Sequence, residues 1–161
     1  KFEGIFRYLK EDGDIKNEVS ITSSSNCGYD HYNMLDLDKI DSFFQTQDKQ
    51  NSWICFEFKN HQVIPTSYII RTYHSENNLH LKSWVVEGSN DNNNWTKIDE
   101  HKNDSSLKGK SRVHLFNITN NQNDQSFKYL RIYQTGPNWY CNNDQSHHLL
   151  ISSIDFYGRL I

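Results

Sequence analysis

Trp53-Ile54-Cys55-Phe56-Glu57-Phe58 alternates so that Ile54, Phe56 and Phe58 share one face while Glu57 lies on the other. Successive side chains of an extended strand point to opposite faces, so this is the pattern of a strand with one face in a core. Cys55 lies within the same apolar run and reads as a buried thiol. Downstream, Leu130 and Ile132 share one face of Phe127 to Gln134, with Tyr129, Arg131 and Tyr133 on the other. Working outward, Gly4 to Leu9, Glu18 to Thr22, Ser67 to Tyr73, Lys82 to Glu87, Trp95 to Asp99, Arg112 to Phe116 and Leu149 to Tyr157 read as further short strands. Pro65 precedes the Ser67 run, where it suits a strand start or an edge. Gly88 to Asn94 has hairpin-turn chemistry, and Asn117 to Gln125 reads as an exposed loop. No amphipathic helix of ordinary length is expected; Asp36 to Phe44 accommodates one helical turn. Many short strands with turn signals between them imply an all-β sandwich or barrel.

Composition agrees. The 161 residues contain no alanine, the best helix former, and 14% aromatics, which suit strands. The length fits one domain, taken as residues 1–161, with enough chain for a core. The formal charge of −3 and the absence of a long basic run exclude nucleic acid as the expected partner. No apolar stretch approaches the roughly 20 residues that span a bilayer. The chain starts at Lys1 without a methionine or a signal-peptide pattern, so it is expected to be excised from a longer protein. Cys27, Cys55 and Cys141 are too few and too irregular for a disulfide framework. A reducing, intracellular and cytoplasmic setting is therefore expected, in which the sequons at Asn94, Asn103 and Asn117 carry little weight.

Three stretches together resemble the coagulation factor 5/8 type C (discoidin-like, galactose-binding-like) family. Ser83 to Trp95 is similar to its Ser-Asn-Asp hairpin, Phe127 to Ile132 to its late Tyr-Leu-Arg-Ile strand, and Ile151 to Gly158 to its closing aromatic-Gly strand. Ser20 to Ser25, and Met34-Leu35-Asp36 with Trp53, fit the family's earlier segments in the right order. The resemblance implies an eight-stranded antiparallel jelly-roll β-sandwich with Ile54, Phe56, Trp84, Leu130, Ile132, Ile154 and Phe156 in the core. It also implies a non-catalytic recognition module. Leu79 to Trp84 and Gln50 to Phe58 resemble an intracellular branch found beside BTB and other regulatory domains. The asparagine-rich composition points to a protist. No cysteine lies near either end to make the disulfide usual in extracellular members.

By this resemblance Ser23–Asn33, Ser75–His80 and Gly136–His148 project from one rim. They carry Tyr29, His31, Tyr32, Glu76, Asn77, Asn138, Trp139, Tyr140 and His147 as candidate ligand-binding residues. Rings supply apolar contact area, while amides and imidazoles fix orientation. Gly136-Pro137 turns the chain so that Trp139 and Tyr140 are presented as anchors. His74 to Asn77 holds no arginine of the kind galactose-binding relatives place there, and the rim lacks the apolar spikes of membrane-inserting ones. A protein or peptide partner is therefore the first expectation, and a glycan the alternative. Asp36, Asp38 and Asp155 offer hard oxygens for a structural calcium ion, as in some relatives. Cys27, His31, Cys141 and His147 form a weaker zinc candidate, without a CxxC pair. No nucleophile elbow, HExxH, Walker loop or GxGxxG is present, so an enzyme is not expected.

Overall fold

The computed structural model describes residues 4–75, 79–140 and 144–161. Its strands are β1 (Val19–Ser23), β2 (Phe44–Gln45), β3 (Trp53–Phe58), β4 (Val63–Arg71), β5 (Trp84–Ser89), β6 (Thr96–His101), β7 (Val113–Asn117), β8 (Tyr129–Gln134), β9 (Leu150–Ile151) and β10 (Ser153–Leu160). Among the described residues they form a five-stranded sheet in the order β1-β3-β8-β5-β6 and a three-stranded sheet in the order β10-β4-β7. The two-residue strands β2 and β9 make a small separate pair. All pairings are antiparallel. The eight strands of the two sheets make the expected jelly-roll sandwich.

The alternation that predicted β3 and β8 is realised in the core. Ile54, Phe56, Phe58, Leu130 and Ile132 are fully buried, and β3 and β8 pair with Phe56 opposite Leu130. Facing them, Tyr68 of β4 and Ile154 and Phe156 of β10 are buried as well. Each large side chain withdrawn from water contributes roughly 1.5–3 kcal/mol, so these rows hold the sheets together. A polar tie also crosses the sandwich. The Trp84 Nε1–H donates to the Tyr68 hydroxyl at 2.9 Å, and that hydroxyl donates to Asp99 Oδ2 at 2.7 Å.

The amino-terminal run departs from expectation. Ile5–Glu11 is a helix, α1, not a strand. Its apolar positions Ile5, Phe6 and Leu9 fall on one helical face and are buried, whereas a strand would have placed Arg7 inward with Ile5 and Leu9. Phe6 plugs the gap between the sheets, with ring centroids 5.1 Å from Phe56 and 5.8 Å from Phe156. The helical turn expected within Asp36 to Phe44 lies earlier, as a 3-10 helix at His31–Leu35 capped by the Asp30 side chain. Pro65 sits inside β4, opposite Gly158, where the pairing with β10 slips by a bulge. The slip leaves a place for a residue without an N–H. Gly158, at φ +149°, has no room for a Cβ against the Ile64 carbonyl, which explains the closing aromatic-Gly pair in physical terms.

The strand order puts the long connections β1–β3, β4–β5, β6–β7 and β8–β10 at one end and the turns β3–β4 and β5–β6, together with the β7–β8 loop, at the other. Backbone hydrogen bonds tie the long connections to one another: Thr46 N–H to Leu149 O, Asp104 N–H to Lys82 O, Thr135 N–H to Ser83 O and Trp139 N–H to His80 O. These loops form the rim. Among the described residues, no helix is long and apolar enough to cross a membrane.

Candidate functional site

Trp139 is the centre of the rim. Its N–H donates to His80 O at 3.0 Å, and the buried His80 accepts from the Gly109 N–H through Nδ1 at 3.3 Å. One histidine thus fixes the Trp139 loop to the loop that carries Lys108. Burial pushes the His80 imidazole below its ordinary pKa, which suits a neutral acceptor there. The ammonium groups of Lys82 and Lys108 lie over the Trp139 ring, 4.6 and 4.5 Å from its centroid. A cavity of ≈ 350 Å³ opens beside them, lined by Lys82, Lys108, Pro137, Trp139, Tyr140 and Gln145. Trp139 Nε1 is buried and has no acceptor among the described residues.

The other predicted residues divide by role. Asn138 is buried and acts as a clamp. Its Nδ2 donates to Ser146 Oγ at 3.1 Å and His148 O at 2.9 Å, and its Oδ1 accepts from the Tyr140 N–H at 3.0 Å. It shapes the loop that presents Trp139 and Tyr140. His147 lines a neighbouring cleft with Gln50, Asn51 and Pro137, while its N–H donates to Asp48 Oδ1 at 2.6 Å. His31 stacks on Phe44, with centroids 4.5 Å apart, and its Nε2 is 2.8 Å from Ser23 Oγ. Tyr32 donates its hydroxyl to Val19 O at 2.6 Å and packs on the core. Both tie the first loop to the sandwich and stand apart from Trp139. Glu76 and Asn77 lie outside the described residues, as does Cys141 of the zinc candidate.

Tyr29 opens a feature that the sequence did not disclose. Its exposed ring meets Phe43 at 4.6 Å, Phe43 meets Tyr73 at 4.4 Å and Tyr73 meets His74 at 4.4 Å. His74 Nε2 lies 3.2 Å from Asp41 Oδ1. This file of rings joins the first loop to the β4–β5 loop. Phe43, Tyr73, Lys82 and Lys108 carried no local motif, because each acquires its place only through a contact with a different loop.

The calcium expectation meets different chemistry. Asp36, Asp38 and Asp155 do line one cavity of ≈ 200 Å³, but Arg7 and Lys10 line it too. Lys10 Nζ is 3.3 Å from Asp36, and Arg7 Nη1 is 3.7 Å from Asp38. Asp155 is buried, its oxygens accepting from the Phe6, Arg7 and Phe156 N–H groups. Gly4, at φ +147°, makes this close approach possible, since a Cβ there would collide with Asp155 Oδ2. The protein's own cations and the first N–H groups of α1 thus use the oxygens a calcium ion would need, and the residues do not fit a calcium shell. Among the described residues no group of three or more His, Cys, Asp and Glu is placed to hold a metal ion.

The stretch from β1 to the rim loops before β9 has its counterpart in one family. Residues 20–149 match the F5/8 type C domain. The chain belongs to that family. This F5/8 type C domain is 27% identical over 147 residues to the Drosophila melanogaster E3 ubiquitin-protein ligase Ufd4, covering 89% of the chain and 5% of the ligase. It spans about a twentieth of that relative's length. Among solved structures, the CBM32-3 module of a family 31 glycoside hydrolase from Clostridium perfringens is similar, with TM-score 0.68 and 14% identity over 89% of this chain and 92% of the module. The CBM32 of AlyQ, solved with 4,5-unsaturated mannuronic acid, gives TM-score 0.63 and 14% identity over 87% of this domain and 95% of its own chain. At these identities the likeness to solved structures is one of fold.

Proposed function

We propose that this domain is a non-catalytic recognition module that captures a protein or peptide partner at the rim, with Trp139 and Tyr140 as anchors. The observation that carries the reading is the Trp139 cavity, where an indole and a phenol from one loop meet cationic side chains from two others, the loops being tied by hydrogen bonds. Interface energy concentrates in such aromatic anchors set in pre-shaped pockets. The similarity to a segment of a ubiquitin-protein ligase supports proteins as partners and an intracellular setting.

The test is a pair of captures on immobilised chain, wild type against Trp139→Ala/Tyr140→Ala. The bound proteins are compared by mass spectrometry, and folding is monitored by thermal melting. The expected result is loss of the specific partners with little change in melting temperature. Capture that survives the double substitution sinks the rim assignment.

A glycan is the second reading, favoured by the exposed Tyr29 ring backed by the half-buried Phe43 and Tyr73, since rings make platforms for sugar faces. The CBM32 of AlyQ was solved with an acidic sugar. A reproducible hit on a glycan array, lost on Tyr29→Ala, would favour it over the first.

A further inference from the structure

We infer that the Trp139 cavity selects carboxylates, and that its ligand is an acidic peptide segment with Asp or Glu side chains beside an apolar one. The inference rests on the proposed rim reading and adds the chemistry of the partner.

Three observations lead to it. First, the chain as a whole is acidic, at −3, yet this cavity is walled by two lysines. Second, neither lysine has a carboxylate partner among the described residues, although Asp104 is close in the chain to Lys108. Asp104 is committed elsewhere: its Oδ2 lies 2.8 Å from His101 Nδ1 and its Oδ1 accepts from the Ser106 N–H at 2.8 Å. Among the described residues, the charges of Lys82 and Lys108 are met only by the face of an indole. A cation–π contact holds an ammonium in place but leaves most of its hydrogen-bonding capacity unused. Third, the apolar edges of Pro137, Trp139 and Tyr140 border the same ammonium groups. A bound carboxylate would gain charge-assisted hydrogen bonds from the two Nζ groups, and a neighbouring apolar side chain would cover the rings. A neutral ligand would leave both cations without their best acceptor. A basic one would be repelled.

A peptide fits better than a sugar acid because the cavity combines cations with an apolar border, whereas the open ring file of Tyr29, Phe43 and Tyr73 lies on another loop pair.

The test uses two fluorescein-labelled octapeptides that alternate Glu or Asp with Leu, or carry Gln and Asn in their place, titrated into the 161-residue chain by fluorescence polarisation. A third probe is a mannuronic acid oligomer. The expected result is binding of the acidic peptide at least tenfold tighter than the amide peptide, weakening as salt is raised. Lys82→Gln/Lys108→Gln should erase that preference while leaving the melting temperature unchanged. Equal binding of the two peptides, or an acidic preference that survives the double substitution, overturns the inference. So does tight binding of the oligomer without the peptide. Partner capture that is lost with Trp139→Ala/Tyr140→Ala but unaffected by Lys82→Gln/Lys108→Gln would refute the carboxylate chemistry and leave the rim reading standing. Capture that survives both pairs removes the rim reading itself.

Discussion

Asp155 Oδ1 accepts the Phe6 N–H at 2.8 Å, so a residue of the last strand caps the first helix. The open N–H groups of a helix start are ordinarily met by a side chain just ahead of it, but Gly4 has none to offer. Replacing Asp155 by Ala strands those N–H groups away from water. We expect Asp155→Ala to lower stability by about 3 kcal/mol, since the cost is that of a buried unpaired donor rather than of one average hydrogen bond. Urea denaturation measures it. Asp155→Asn, which keeps an acceptor, should cost less. Calcium chloride and EDTA should give the same melting temperature for the wild type; a rise with calcium would show that Lys10 and Arg7 yield their carboxylates to the ion.

Tyr68→Phe removes one oxygen and two buried hydrogen bonds. Trp84 Nε1 loses its acceptor and Asp99 one of its donors. The shape of the core is unchanged, so the loss is electrostatic, about 2–3 kcal/mol. Chemical denaturation of the variant, with its fold checked by circular dichroism, gives the number.

His101 sets the pH dependence above neutrality. Burial disfavours its charged form, but Asp99 at 2.9 Å and Asp104 at 2.8 Å outweigh burial and raise its pKa above 6.5. A histidine with a raised folded pKa gives stability that is complete below its unfolded value and is lost as pH climbs through the folded value. The half-buried His31 and the buried His80 shift the opposite way and add stability as pH rises, so the His101 contribution is read against the His101→Gln variant. As pH climbs above 6.5, the urea midpoint of the wild type should therefore fall relative to that of His101→Gln. A wild-type midpoint that keeps pace with that of His101→Gln as pH rises would remove His101⁺ from the network.

Cys55 lies within the five-stranded sheet, where burial pushes its thiol up to about 11. Cys27 is exposed on the rim. At mildly alkaline pH a short iodoacetamide pulse should label Cys27 and spare Cys55 until urea is added, because the thiolate is the reactive form. Peptide mapping reads the outcome. Rapid native labelling of Cys55 would mean that β3 opens far more often than its packing implies.

The two-residue period of β3 and β8 was legible because Ile54, Phe56, Phe58, Leu130 and Ile132 recur at every second position without interruption. Helix α1 was misread for a physical reason: seven residues are too few to display a helical period against a strand period, and its stability comes from Phe6 packing and from Asp155, 149 positions away. His101 stacks its ring on Trp84 at 4.6 Å and is gripped by two acids, contacts that only the folded chain brings together. The loops of the rim were implied by the family resemblance, and Trp139 was singled out by the Gly-Pro turn before it. The lysines over its ring were invisible, since a sequence shows that a lysine exists but not which distant ring it covers.

The Ile161 N–H donates to Gln62 O in the turn between β3 and β4, which lies at the pole away from Trp139. A reporter or surface tether fused after Ile161 therefore leaves the molecule on the side away from the loops that do the recognising. Attached that way, the domain stands with its open face toward solution, so immobilisation for binding measurements need not obstruct what is being measured.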